Sequence, residues 1–545
     1  MRTNQALIGA LTSDDPDRAG RALTRLARHP RELAALDDRI RRVHRWDARA
    51  FPQLTAAETA VRGGRADRAA LALAASHANG WVRELAVRQI IASPDPELTP
   101  WLVLRTADWV EPVRDLARTG LLRLLDRAPA TYGPAAAPTA LLLTARNRGS
   151  FPRRQLVAAL AEPPGRNEPD LLALLLASPV AAVRQFALRE GGRRLGPRDL
   201  LALAEHGADP GLRAAAAEST AKAAVWSGQP DPLRRLARSP HGYVRAAALT
   251  GLARLGHLDD VTRHLDDPDA LVRARARDAA RRSGAEPLGF YRARVAELAA
   301  AGEALRPASA PDGSGAVTGA VTDSARGGAR DIWDMTDVPG AAGASARAGG
   351  AVAGGGGGGP AVLAVIDGLA ETGGRGDIPL LTGLLAHPAD AVRARALRGL
   401  RQLAGTEAPV APVLPLLRDR SPRVVRAAAD LLRPLAAGLP DGYARALLDD
   451  EDRAVVRRAG YHLLHEPDPV ARLLVQLRVA ADPDPRLAAR AAADAVGLVR
   501  RAAASCRLRP DPATRAELLA LAAALTDRLG PDHLDLLHRA TADHA

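Results

Sequence analysis

Runs of alanine, leucine and valine alternate with short polar breaks along most of the chain, and the apolar positions inside a run fall at helical spacing. After Val244, for example, Leu249, Leu252 and Leu255 share one helix face, and Gly256 follows where a helix can end with φ > 0. Many breaks contain Ser, Asp or His before a proline, then a Val-Arg pair. Ser or Asp accepts an orphan N–H at a helix start and proline lacks one, so each such pair predicts a helix start with proline in the first turn. A shorter apolar segment, such as 258–265, precedes each break and predicts the other half of a helical hairpin.

The unit recurs. It ends on Arg83 and Arg114, then on Arg184, Arg213, Arg245 and Arg273, then on Arg393, Arg426, Arg457 and Arg490, at intervals of 28 to 33 residues within each series. A weaker copy around Ser150-Phe151-Pro152-Arg153-Arg154 lies between the first two series. Such a period holds two short helices and two turns. One hairpin cannot bury its apolar face alone, so the units must stack. The expected fold is all-α, an α-solenoid.

The Asp/Ser-Pro-x-x-x-Val-Arg-x-x-Ala pattern, as in Asp267-Pro268 with Val272-Arg273, resembles HEAT repeats of the short, phycobilisome-lyase-associated type. The resemblance covers most of 70–300 and 380–500, and more loosely 1–70 and 505–545. It implies an armadillo-type stack of helix pairs, with 513–528 and 532–539 as a capping pair. It also implies that the repeat arginines (Arg83, Arg114, Arg184, Arg245, Arg393, Arg426 and Arg457) meet an acid or carbonyl of the adjacent unit. Proteins of this kind include scaffolds, adaptors, lyases, hydroxylases and DNA-repair enzymes, so function has to be read from particular residues.

The periodicity stops between 302 and 360, a stretch of Gly, Ala, Ser, Thr and Asp ending in Gly354–Gly359. That composition cannot offset the cost of ordering the chain and reads as a disordered linker. The expected organisation is therefore a basic N-terminal array over 1–301, a flexible linker over 302–360, and a C-terminal array over 361–545. The alternative is a long insertion into one continuous stack. Within the linker, Asp331-Ile332-Trp333-Asp334-Met335 is a candidate docking motif, an aromatic flanked by acids.

Composition sharpens the picture. Of 545 residues 47% are hydrophobic but only 3% aromatic, so the core must be Ala, Leu and Val, which favours helices over strands. The net charge of +13 is uneven: residues 1–300 carry 46 basic and 33 acidic residues, and 301–545 carry 29 of each. This asymmetry points to an acidic partner for the N-terminal array. Candidate surfaces for a protein partner or nucleic acid are Arg42, Arg45, Trp46 and Arg49, and Arg273, Arg277 and Arg281 at four-residue spacing, although the resemblance favours Arg273, as a repeat arginine, as a structural tie to the adjacent unit. Arginine has replaced lysine almost throughout (Lys222 is the sole lysine), as GC-rich coding would produce. Cys506 has no intrachain partner and no apolar run reaches the roughly 20 residues of a membrane span, so a cytoplasmic, reducing location is expected.

Candidate chemistry is sparse. His462 and His465, followed by Glu466, sit on one helix face where metal ligands can lie. HEAT-like deoxyhypusine hydroxylases repeat His-Glu dipeptides, whereas His465-Glu466 is the single one here, and a surface pair at a helix end is the reading adopted. Trp81, Trp101 and Trp109 with Asp108 superficially resemble the base-binding residues of HEAT-like alkylpurine DNA glycosylases. Their place in the helix-pair motifs predicts core packing instead. No phosphate loop or nucleophile elbow is present, and Cys506 reads as a packing residue. The expectation is a protein without catalytic, cofactor or metal residues. It would be a scaffold or adaptor that binds protein or peptide partners, with DNA binding or a lyase-type repeat enzyme as the alternatives.

Overall fold

The computed structural model describes residues 2–11, 15–46, 52–146, 148–165, 168–304, 359–504, 508–530 and 532–541. Among them it contains thirty α-helices, a few 3-10 turns and no strand. They form an α-solenoid of stacked HEAT-like helix pairs. In one pair, the Arg68–Ala75 helix lies against Gly80–Ala92. The next pair places Thr99–Arg105 against Glu111–Arg127, and the two longer helices, Gly80–Ala92 and Glu111–Arg127, pack on each other.

Small side chains permit this stacking. The core of each unit is made almost wholly of Ala, Leu and Val. Gly120 faces Ile91 so closely that a Cβ would overlap the isoleucine side chain. At Gly460 a Cβ would lie 2.7 Å from the Ala444 carbonyl oxygen, so the Ala454–Leu463 helix presses directly on Tyr443–Leu448.

The helix starts differ from expectation in an informative way. Pro210, Pro422 and Pro485 do open helices. After Ser178, Ser239, Asp267 and His387 the helix begins later, at Ala181, Gly242, Ala270 and Asp390, with the capping position two residues beyond the Ser, Asp or His. In the Asp267 copy the reason is visible. Its carboxylate is taken by an arginine and by the Asp269 N–H, so Asp269 caps the helix instead.

The chain divides into two compact units, Met1–Ser239 and Pro240–Ala545. The expected break at 302–360 is not where they part. Residues 305–358 lie outside the described residues, but the helices flanking them, Pro287–Ala304 and Pro360–Thr372, pack together inside the second unit. Tyr291 fills the space left by the missing side chain of Gly368 and donates to the Leu265 carbonyl at 2.8 Å. Arg292 Nε donates to Asp377 at 2.6 Å. The helices on either side of the segment therefore pack on each other within the second unit. The Asp331–Met335 motif also lies outside the described residues.

Candidate interaction surface

Five repeat arginines share one geometry. Arg83, Arg184, Arg245, Arg393 and Arg457 donate Nε to Asp108, Asp209, Asp267, Asp419 and Asp482, at 2.7 to 2.9 Å. Each aspartate lies 22 to 26 residues on, in the turn of the next unit. It also accepts a nearby backbone N–H, such as that of Val110, Ser421 or Asp484, which holds its own turn. The arginine meanwhile grips the carbonyl six residues before it, at His77, Ser178, His387 or Glu451. One side chain thus ties its own hairpin turn to the next.

The other repeat arginines vary this pattern. Arg114 reaches the Asp108 carbonyl at 3.3 Å, and Arg213 reaches Gly207 at 2.6 Å. Arg426 is half-buried in the Pro422–Leu432 helix. Burial opposes ionisation of Asp267, but His264, Arg245 and the Asp269 N–H outweigh it and hold the carboxyl down to about 2. Burial likewise opposes ionisation of Asp108, where Arg105, Arg83 and the Val110 N–H keep the carboxyl below its ordinary range.

The arginine clusters selected for a partner surface fare unequally. Arg273 is only 2% exposed; it grips the Asp267 and Pro268 carbonyls and pairs with Glu371. Arg277 binds the same Glu371 at 2.5 Å. These two are structural, because their charge is already matched, and only Arg281 of that stripe faces solvent. Arg42 is exposed and pairs with Asp38 in its own helix. Arg45 and Trp46 end the Pro30–Trp46 helix, and Arg49 lies outside the described residues.

Trp101 is 2% exposed, in keeping with a core role, but Trp81 and Trp109 are each 62% exposed and do not fill the core. A Cβ on Gly80 would sit 3.1 Å from Val110 Cγ2, so the start of the helix bearing Trp81 abuts the turn bearing Trp109. The Arg62 guanidinium lies 5.5 Å from the Trp81 ring centre, and that of Arg83 lies 6.0 Å from the Trp109 ring centre. Each indole is thus oriented by a cation and open to solvent on its remaining surface. Sequence reasoning missed this because a tryptophan beside a repeat motif reads as core. The available signal was the position of both residues at breaks between helices, Trp81 in the first turn of Gly80–Ala92 and Trp109 just before Glu111–Arg127.

His462 is half-buried 3.5 Å from Asp430, His465 is exposed, and Glu466 pairs with Arg445. Among the described residues no group of three potential ligands is placed to hold a metal ion. Cys506 lies outside the described residues, and no described helix is long and apolar enough to cross a membrane.

No family model and no curated protein matches the chain. Among solved structures, one of Kap95p with RanGDP, concerned with nuclear import complex assembly, is 12% identical with a TM-score of 0.31, covering 98% of this chain and 59% of that one. A crystal structure of importin beta in an ammonium sulfate condition is 12% identical with a TM-score of 0.33, covering 96% and 67% respectively. The chain thus spans about three fifths to two thirds of these proteins' length.

Proposed function

We propose that the protein is a non-catalytic scaffold that binds an acidic protein segment on the Trp81–Trp109 edge of its first unit. The observation that carries this reading is the pair of tryptophans held open to solvent at the adjoining starts of two successive repeat helices. Large aromatic side chains exposed on a surface are the residues most enriched at binding hot spots. Residues 1–239 carry 36 basic and 25 acidic residues, so an acidic partner meets a complementary field. The repeat period and the Val-Arg pattern support the short, lyase-associated HEAT class for the architecture, and 305–358 is read as an insertion within the stack.

The test is affinity capture with the full chain and with a Trp81→Ala/Trp109→Ala variant. The captured protein is then purified and titrated. A stoichiometric acidic partner whose affinity falls by about tenfold or more in the variant supports the reading. A partner bound equally by both proteins overturns it. Tight, salt-sensitive binding of duplex DNA, lost in the same variant, would favour the nucleic-acid alternative instead.

A further inference from the structure

The second unit contains a cavity of about 820 Å³, within the roughly 300–1,000 Å³ range of small-molecule sites. It lies where the Pro422–Leu432 and Ala454–Leu463 helices and the turns after them meet Pro469–Val479 and Pro485–Ala504. The scaffold reading rests on the first unit and does not involve this cavity.

Its wall carries three carboxylates and three guanidiniums, but these are not paired with one another. Each of the three carboxylates is engaged within the protein. Asp494 accepts from Tyr461 at 3.1 Å and from Arg490 at 3.0 Å. Glu466 pairs with Arg445, and Asp430 lies 3.5 Å from His462. The three guanidiniums that line the cavity find no carboxylate. Arg433 donates to the His462 carbonyl at 2.5 Å and Arg472 to the Glu466 carbonyl at 2.7 Å, both neutral acceptors. The Arg401 side chain is exposed and makes no hydrogen bond or ion pair among the described residues. Three cations are thus left to face one cavity with their planar donors partly unused, an arrangement suited to an oxyanion.

A second observation points the same way. Gln476, in the wall of the cavity, is 8% exposed, and its Oε1 atom is buried with no hydrogen-bond partner. A buried acceptor left unmade costs about 1–3 kcal/mol. A ligand that brought an O–H or N–H to this atom would remove that cost.

We propose that this cavity binds a small organic oxyanion, a phosphate monoester or a carboxylate, carrying a hydroxyl or amide donor beside the anionic group. The anion sits against Arg401, Arg433 and Arg472, and the donor meets Gln476 Oε1. The experiment is isothermal titration of the full chain with inorganic phosphate, ethyl phosphate, glycerol 3-phosphate and malate. One site per chain is expected for glycerol 3-phosphate or malate, and which of the two saturates distinguishes phosphate from carboxylate. Arg401→Ala, at an exposed position without partners, should weaken that binding by about tenfold and leave the melting temperature unchanged. Gln476→Leu should weaken glycerol 3-phosphate or malate by about fivefold and leave ethyl phosphate unaffected. The proposal is overturned if no probe saturates below about 10 mM, or if Arg401→Ala leaves the affinity intact.

Discussion

Arg83 and Asp108, twenty-five residues apart, form a two-pronged ion pair in which both side chains are wholly removed from solvent. Arg105 adds a second cation 3.2 Å from Asp108 and reaches Asp37, in the Pro30–Trp46 helix, at 2.6 Å. Removing one member of a buried pair leaves the other charge uncompensated, at a cost of about 3–5 kcal/mol. Asp108→Leu should therefore be among the most destabilising substitutions in the first unit. The equivalent Asp419→Leu should cost less, because the Arg393–Asp419 side chains are 15% and 10% exposed. Adding Arg83→Met to Asp108→Leu should recover part of the loss. Urea unfolding midpoints give the ranking, and the idea fails if Asp419→Leu proves the more damaging.

Asp267 makes the same kind of tie sensitive to acid. Its folded carboxyl is depressed from 3.8 to about 2, so its stabilisation is fully present above the unfolded value and is lost as pH falls from about 4 to about 2. A shift of this size corresponds to about 2 kcal/mol. Asp267→Asn should melt below the unaltered protein at pH 7, and the gap should close as pH approaches 2. Melting curves at pH 7, 4 and 2.5 check this, and a constant gap would contradict it.

The repeat was legible because Val-Arg pairs recur at a fixed interval, and the arginine ties were legible through the resemblance to HEAT repeats. Their acid partners were not read. Asp108 and Asp267 belong to the turn of the following unit, and nothing local to the arginine marks a partner 22 to 26 residues on. The same concealment left Arg273 and Arg277 open to two readings, of which the structural tie favoured for Arg273 is the one the contacts bear out. Their four-residue spacing describes an exposed stripe and a buried one equally well. The acid that claims both, Glu371, lies 98 residues beyond Arg273, on the far side of the segment that interrupts the pattern. Tryptophan exposure failed for a different reason. Hydrophobic character predicts burial only when a neighbouring layer covers the position, and nothing covers Trp81 at its helix start or Trp109 in its turn, each 62% exposed.

Tyr291 and Gly368 test whether helices on the two sides of 305–358 depend on each other. Gly368→Leu would drive a side chain into the phenol ring, and overpacking of this kind typically costs about 1–3 kcal/mol. Tyr291→Phe removes only the hydrogen bond to the Leu265 carbonyl and leaves that buried acceptor short of a partner, at a cost of about 1 kcal/mol. Hydrogen exchange should quicken in both 287–304 and 360–372 in the Gly368→Leu protein. Faster exchange confined to one of these helices would mean that they are not mutually supporting layers.

Trp81→Ala and Trp109→Ala separate binding from stability. Each indole is 62% exposed, so truncation removes little buried area and should change the unfolding free energy by less than about 1 kcal/mol. Trp101→Ala, at 2% exposure, should cost about 3–5 kcal/mol by leaving a cavity among small side chains. The two exposed residues should behave oppositely in partner titrations, where hot-spot aromatics commonly cost 2 kcal/mol or more, about a thirtyfold loss of affinity. Because Arg83 serves both as the tie to Asp108 and as the cation beside Trp109, Arg83→Lys should weaken both properties together. Thermal melts and titrations on the same four variants decide the matter. If Trp81→Ala and Trp109→Ala lower the melting temperature as far as Trp101→Ala, the two tryptophans hold the fold and do not form a docking edge.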